Sequence, residues 1–133
     1  MLFRSMNTDY LVIGSTPADE DCVQVCDNKP YMEEMRKECE RFRDLLRDAY
    51  PPPVDEKGEK RGGLKVKSFP HDFGTYMEVV AVYDQDYPPA VDWAYELEGN
   101  TPATWDELTE IATENRSKQA LEEIKKEQAN ARG

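Results

Sequence analysis

Between Asn28 and the prolines at 51–53, the residues Met32, Met35, Cys39, Phe42, Leu46 and Ala49 recur at steps of three and four. On a helix of 3.6 residues per turn this spacing places all six along one stripe, with Arg36, Lys37, Glu40, Arg43, Asp44 and Arg47 largely off it. Asp27-Asn28-Lys29-Pro30 supplies the start, because proline near the first helical position gives up an N–H that would have no partner anyway. Pro51-Pro52-Pro53 supplies the stop. A helix with one apolar stripe has to bury it against another layer, so the remaining segments are constrained to provide one.

The strand signals supply that layer. Tyr10-Leu-Val-Ile13, closed by Gly14-Ser15-Thr16-Pro17, reads as a first strand, and Cys22-Val-Gln-Val-Cys26 as a second short strand or a packed loop. Leu64–Phe69 and Thr75–Tyr83 are rich in β-branched and aromatic residues and predict an antiparallel pair, joined by the five residues Pro70 to Gly74. Residues 54–63 have no apolar period and predict a mobile linker. Pro88 or Pro89 opens a helix that stops at Gly99-Asn100. Thr104 with Glu107 forms a capping-box pattern that starts a last helix, apolar at Trp105, Leu108, Ile111 and Ala112 and thinning to Ala120, Leu121 and Ile124. The order β, α, β, β, α, α predicts an α+β fold with a three-stranded, mainly antiparallel sheet and helices packed on one face. The 133 residues predict a single domain over 1–115, with 116–133 a charged, partly exposed or frayed C-terminal helix.

The charge is segregated. Eleven acids and no Lys or Arg occur from Asp72 to Glu114, so the net charge of −11 belongs to this stretch, and the rest of the chain is balanced at 17 acids and 17 bases. Such a field repels phosphate backbones and attracts basic partners, which predicts no direct nucleic-acid binding. No apolar run approaches the length of a membrane span, and no signal-peptide pattern is seen, which predicts a cytoplasmic protein without membrane association. Three cysteines, an odd number, predict reduced thiols.

Candidate chemistry is sparse. The single histidine, His71, rules out mechanisms and metal sites that need two imidazoles. His71-Asp72 reads either as a functional loop or as a turn in which Asp72 bonds the backbone. Cys22, Cys26, Cys39 and His71 form a zinc set by ligand type, but Cys39 lies on the apolar stripe, where a free cysteine packs as a small hydrophobe. Asp84 and Asp86, with Asp72 across the hairpin, offer hard oxygen ligands for a divalent cation, or simply a solvated strand end. Trp93, Tyr95 and Trp105 read as core packing or as interface anchors, and Tyr83 and Tyr87 as exposed beside Asp84 and Asp86. No cofactor motif is present.

Glu20-Asp-Cys-Val-Gln-Val25, Lys65–Val79 with Tyr83-Asp84, and Glu98–Asp106 resemble a loose group of small proteins carried by phages, plasmids and integrated mobile elements. The resemblance implies a mobile-element origin and brings no activity or site residue with it. Together with the acidic segment it leads to the expectation of a non-enzymatic interaction protein that docks on a basic site of a host defence or nucleic-acid-binding protein. The docking residues are expected to be Asp72, Tyr83, Asp84, Asp86, Tyr87, Asp92, Glu96 and Glu98. The alternative is a small ligand-binding or divalent-metal-dependent hydrolytic domain around the His71 loop, using Asp72, Glu78, Asp84 and Asp86. A homodimer through the apolar helix stripe or the last helix is a third reading.

Overall fold

The stripe and its stops become helix α1, Lys29–Ala49, in the computed structural model, which describes residues 8–17, 28–72 and 74–132. The Asn28 side chain caps the helix by accepting from the Tyr31 N–H at 3.3 Å, and the Tyr50 N–H closes the other end on the Leu46 carbonyl at 2.7 Å. Strands β1 (Thr8–Gly14), β2 (Gly62–His71) and β3 (Gly74–Asp84) form one antiparallel sheet in the order β1-β3-β2. Helices α2 (Pro88–Gly99) and α3 (Trp105–Arg132) complete the predicted order. The capping box forms at α3: the Thr104 hydroxyl accepts from the Glu107 N–H at 3.1 Å, while the Glu107 carboxylate reaches back to the Ala103 N–H at 3.2 Å.

Alternation along β3 sorts the sheet into two faces. Met77, Val79, Ala81 and Tyr83 point to the helices and share one core with Cys39, Phe42 and Leu46 of α1, Trp93 and Leu97 of α2, and Leu108 of α3. The intervening residues Tyr76, Glu78, Val80 and Val82 point the other way, where no helix of the described residues packs. The register puts Tyr10 and Val12 of β1, and Lys65, Lys67 and Phe69 of β2, on this second face. At the end of β1 the register slips between Val12 and Gly14, an extra residue that Gly14 accommodates at φ 144°.

Several expectations are corrected. His71 pairs with Gly74, so two residues connect the strands and not five, and Pro70 and His71 belong to β2. Proline fits there because β2 is an edge strand, where a missing N–H leaves no neighbour unpaired. Tyr83 is not exposed: it is 4% accessible, because its alternation with Val79 and Ala81 sends it into the core. Tyr87, at the N-cap of α2, is half-buried. The α1 stripe is spent on the intramolecular core and is not available as a dimer interface. The segment 22–26 lies outside the described residues. Residues 116–130 of α3 are exposed, and no helix among the described residues is long and apolar enough to cross a membrane.

Residues 54–63 carry a polar knot that periodicity does not reveal. Val54 bridges Lys60, and the Asp55 carboxylate accepts from the Lys57 and Glu59 N–H groups, both at 2.9 Å, and holds Arg61 at 2.8 Å. The Glu59 N–H, followed by Arg61 and the Lys57 N–H, holds the Asp55 carboxyl below its ordinary 3.8 against the opposing pull of burial. A carboxyl lowered by folding stabilises the fold in full above the unfolded value, and that contribution is lost as pH falls through the lower folded value. Asp55→Asn is therefore expected to flatten the acid limb of stability. Urea unfolding at about pH 7 and about pH 3 measures it, and equal losses for variant and wild type between those points would contradict the assignment.

Candidate functional site

The sequence-predicted docking residues separate into three groups. Asp72 is exposed at the tip of the β2–β3 hairpin, whereas Asp84 ends β3 ten residues beyond Gly74, about 33 Å away at the rise of a strand. Tyr83, Asp84 and Tyr87 do internal work. Asp84 takes Arg61 at 3.0 Å and the Asp86 N–H at 2.9 Å. The Arg61 guanidinium lies 5.7 Å from the Tyr87 ring, whose hydroxyl donates to the Val54 carbonyl at 3.3 Å. Arg61 is thus clamped between Asp55 and Asp84 and ties the 54–61 segment to the turn that leads into α2.

The remaining four, Asp86, Asp92, Glu96 and Glu98, are exposed. Asp92 and Glu96 are one helical turn apart on the outward side of α2, and Tyr95 between them is 55% accessible. The acids are felt by their neighbours: burial first, and then the charge of Glu96, raise the Tyr50 phenol above its ordinary 10.0. Burial, Tyr95, and the charges of Asp9 and Glu98 do the same to Tyr83, whose ring lies 6.3 Å from that of Tyr95. On α3 Asp106, Glu107, Glu110 and Glu114 are exposed as well. Sequence reading included Asp92, Glu96 and Glu98 but left Tyr95 undecided; the buried positions Ala90, Trp93, Ala94 and Leu97 mark the opposite stripe and would have pointed it outward.

Trp93 takes the core role. Its indole N–H donates to the Tyr50 carbonyl at 2.9 Å, and Trp105 packs edge-on to Phe42 at 6.1 Å with the Arg41 guanidinium 4.3 Å from its ring.

The acids named for a metal or hydrolytic pocket do not converge. His71 and Asp72 sit at one end of the sheet, and Asp84 and Asp86 at the other. Among the described residues no three His, Cys, Asp or Glu side chains group as a metal site. Of the zinc set, Cys22 and Cys26 lie outside the described residues. The Cys39 thiol is buried under the helices, donating to the Ser15 carbonyl at 3.4 Å and the Met77 carbonyl at 3.8 Å, while His71 lies on the other face, so the sheet stands between them.

What sequence reading missed is the character of that other face. Phe69 and Tyr76 stack at 5.3 Å with planes 17° apart, and the Lys67 ammonium lies 4.1 Å from the Tyr10 ring and 5.4 Å from that of Phe69. Residues 60–71 hold Lys60, Arg61, Lys65 and Lys67 and no acid, the mirror of the base-free segment that follows. No protein-family model, curated protein or solved structure matches the chain.

Proposed function

We propose that this protein is a non-catalytic binding protein whose acidic helical side docks on a basic site of another protein. The observation that carries the reading is the outward surface of α2, where Asp92, Tyr95 and Glu96 lie side by side with Glu98 adjacent, within a segment that has no lysine or arginine. A large aromatic surrounded by acids is suited to a basic cleft: the ring supplies apolar contact area and the carboxylates supply steering and register. Docking sites built of basic residues are common on nucleic-acid-binding proteins, and the resemblance to proteins of mobile elements makes a host defence or replication protein the expected partner. Asp86, Asp92, Glu96 and Glu98 are the contact acids in this reading, whereas Asp84 serves by holding Arg61.

Capture from a bacterial host lysate on the tagged protein, at low and at high salt, tests the proposal. The expected result is a basic protein retained at low salt, released at high salt, and not retained by the variant Asp92→Lys, Glu96→Lys, Glu98→Lys. These positions are exposed, so the variant should fold. Capture that the three substitutions leave unchanged, or no capture at either salt, would overturn the reading.

A further inference from the structure

We infer that the face of the sheet opposite the helices, on which no helix of the described residues packs, is a platform for short single-stranded nucleic acid, a site distinct from the acidic helical side. The face offers the two things a single strand needs. Tyr10, at 42% accessibility, and the half-buried, mutually stacked Phe69 and Tyr76 place rings on this face, and unpaired bases stack on such rings whatever their sequence. Lys67 stands between the Tyr10 and Phe69 rings, and Lys65 lies two residues along the same edge strand, so ammonium groups alternate with rings as phosphates alternate with bases. Lys60 lies beyond the row, lining one hollow with Lys65 and Arg61 and with the acids Glu59 and Asp84. Neither Lys65 nor Lys67 is held in a salt bridge among the described residues. Among the described residues, Glu78 stands opposite Lys67, Asp84 at the end of β3 is held by Arg61, and Asp9 lines the hollow that Tyr10, Lys65 and Lys67 share.

The net charge of −11 does not by itself forbid this, because the acids of α2 and α3 lie in the helical layer, and among the described residues Glu78, Asp84 and Asp9 are the acids on or beside this face. The outward acids of α2 and α3 are separated from the open face by the sheet and by a helix diameter of about 10–12 Å, more than the screening length of about 8 Å at physiological ionic strength. A duplex is disfavoured for two reasons. Its bases are already stacked on one another and gain nothing from the rings, and its larger footprint brings phosphates toward the acidic flanks. The chemistry selects unpaired strands.

The test is fluorescence anisotropy of a labelled oligothymidine of about 12 nucleotides, titrated with the full chain at low salt. A saturable rise is expected, with log K falling against log salt at a slope of about −1.4 for two lysine–phosphate contacts. Tyr10→Ala is expected to weaken binding by roughly five- to a hundredfold, and an unlabelled duplex of the same length to compete poorly. Lys65→Ala, exposed on the edge strand, provides a second variant that leaves the core untouched, with a thermal melt as the folding control. The Asp92, Glu96, Glu98 reversal should bind the strand at least as well, which separates this site from the protein-docking side. The inference is overturned by the absence of a saturable rise, by a rise that survives Tyr10→Ala and Lys67→Ala combined, or by equal competition from duplex. It is equally overturned if a polyglutamate peptide binds the face while oligothymidine does not, since the face would then belong to an acidic protein.

Discussion

Replacing Phe42 with alanine is expected to remove about 3–5 kcal/mol of stability, a large part of the about 5–15 kcal/mol that holds a domain of this size together. Phe42 is 1% accessible and sits at the middle of α1, which lies between the sheet and α3. Its ring meets Trp105 of α3 edge-on at 74°, on the same stripe that carries Cys39 and Leu46 onto Met77 and Val79. Truncation therefore removes contacts to both layers at once. The cavity has little means of closing, because β3 is pinned by strands on both sides and α3 is tied to α1 by the Asn115 amide on the Asp48 carbonyl at 2.7 Å. Equilibrium urea unfolding should show a lower midpoint with an unchanged slope. A loss under about 1 kcal/mol would mean that α1 is not packed between two layers.

The elements that were legible in the sequence are those whose signals are local. The α1 stripe, the Asn28 cap, the paired prolines of α2 and the Thr104–Glu107 box each involve residues within one or two turns. Strand order is not local, and nothing in the sequence places β1 beside β3. Pro70 misled because proline is a turn signal unless its strand is at an edge, and edge position is a consequence of that same strand order. Tyr83 was misread from its neighbour Asp84, although the alternation Met77, Val79, Ala81, Tyr83 already carried the right answer. The knot around Asp55 was illegible for another reason: it is polar and involves no repeat, only a carboxylate placed to accept from two N–H groups and a guanidinium.

The candidate surfaces divide the same way. The acidic segment was visible by counting, but which acids face solvent together depends on α2 burying Trp93 and Leu97 and so turning Asp92, Tyr95 and Glu96 outward. Once β3 is central, its alternation sends Lys65, Lys67 and Phe69 of β2 and Tyr10 of β1 to the face opposite the helices. The exposed acids of α2 and α3 lie in the helical layer together with the bases of α1, whereas Lys65 and Lys67 share the opposite face with Glu78. The proposed basic partner and the proposed anionic strand would meet opposite sides of such a protein. The two sides are separable by substitution because they share no side chain.

The second large effect centres on Trp93, where three elements meet. Trp93→Ala is expected to cost about 3–5 kcal/mol, since it empties a core position and leaves the Tyr50 carbonyl at the end of α1 without its donor. Gly62, the first residue of β2, is the partner that makes this site diagnostic. A Cβ there would stand 2.9 Å from Cζ3 and 3.1 Å from Cε3 of the indole, and the ring is held in place by its bond to Tyr50. Gly62→Ala alone is thus expected to cost about 1–3 kcal/mol by overpacking. With Trp93 already truncated, the Val82 carbonyl oxygen is what remains of the three nearest atoms, at an ordinary van der Waals distance of 3.4 Å, so the same substitution should cost close to nothing. The double variant is then as stable as Trp93→Ala, and the coupling in the cycle equals nearly the whole cost of Gly62→Ala, about 1–3 kcal/mol. Strict additivity would show that Gly62 and Trp93 do not meet. The glycine pair at 62–63 would then be spacing in a connection, as periodicity implied, instead of the point where β2 passes under α2.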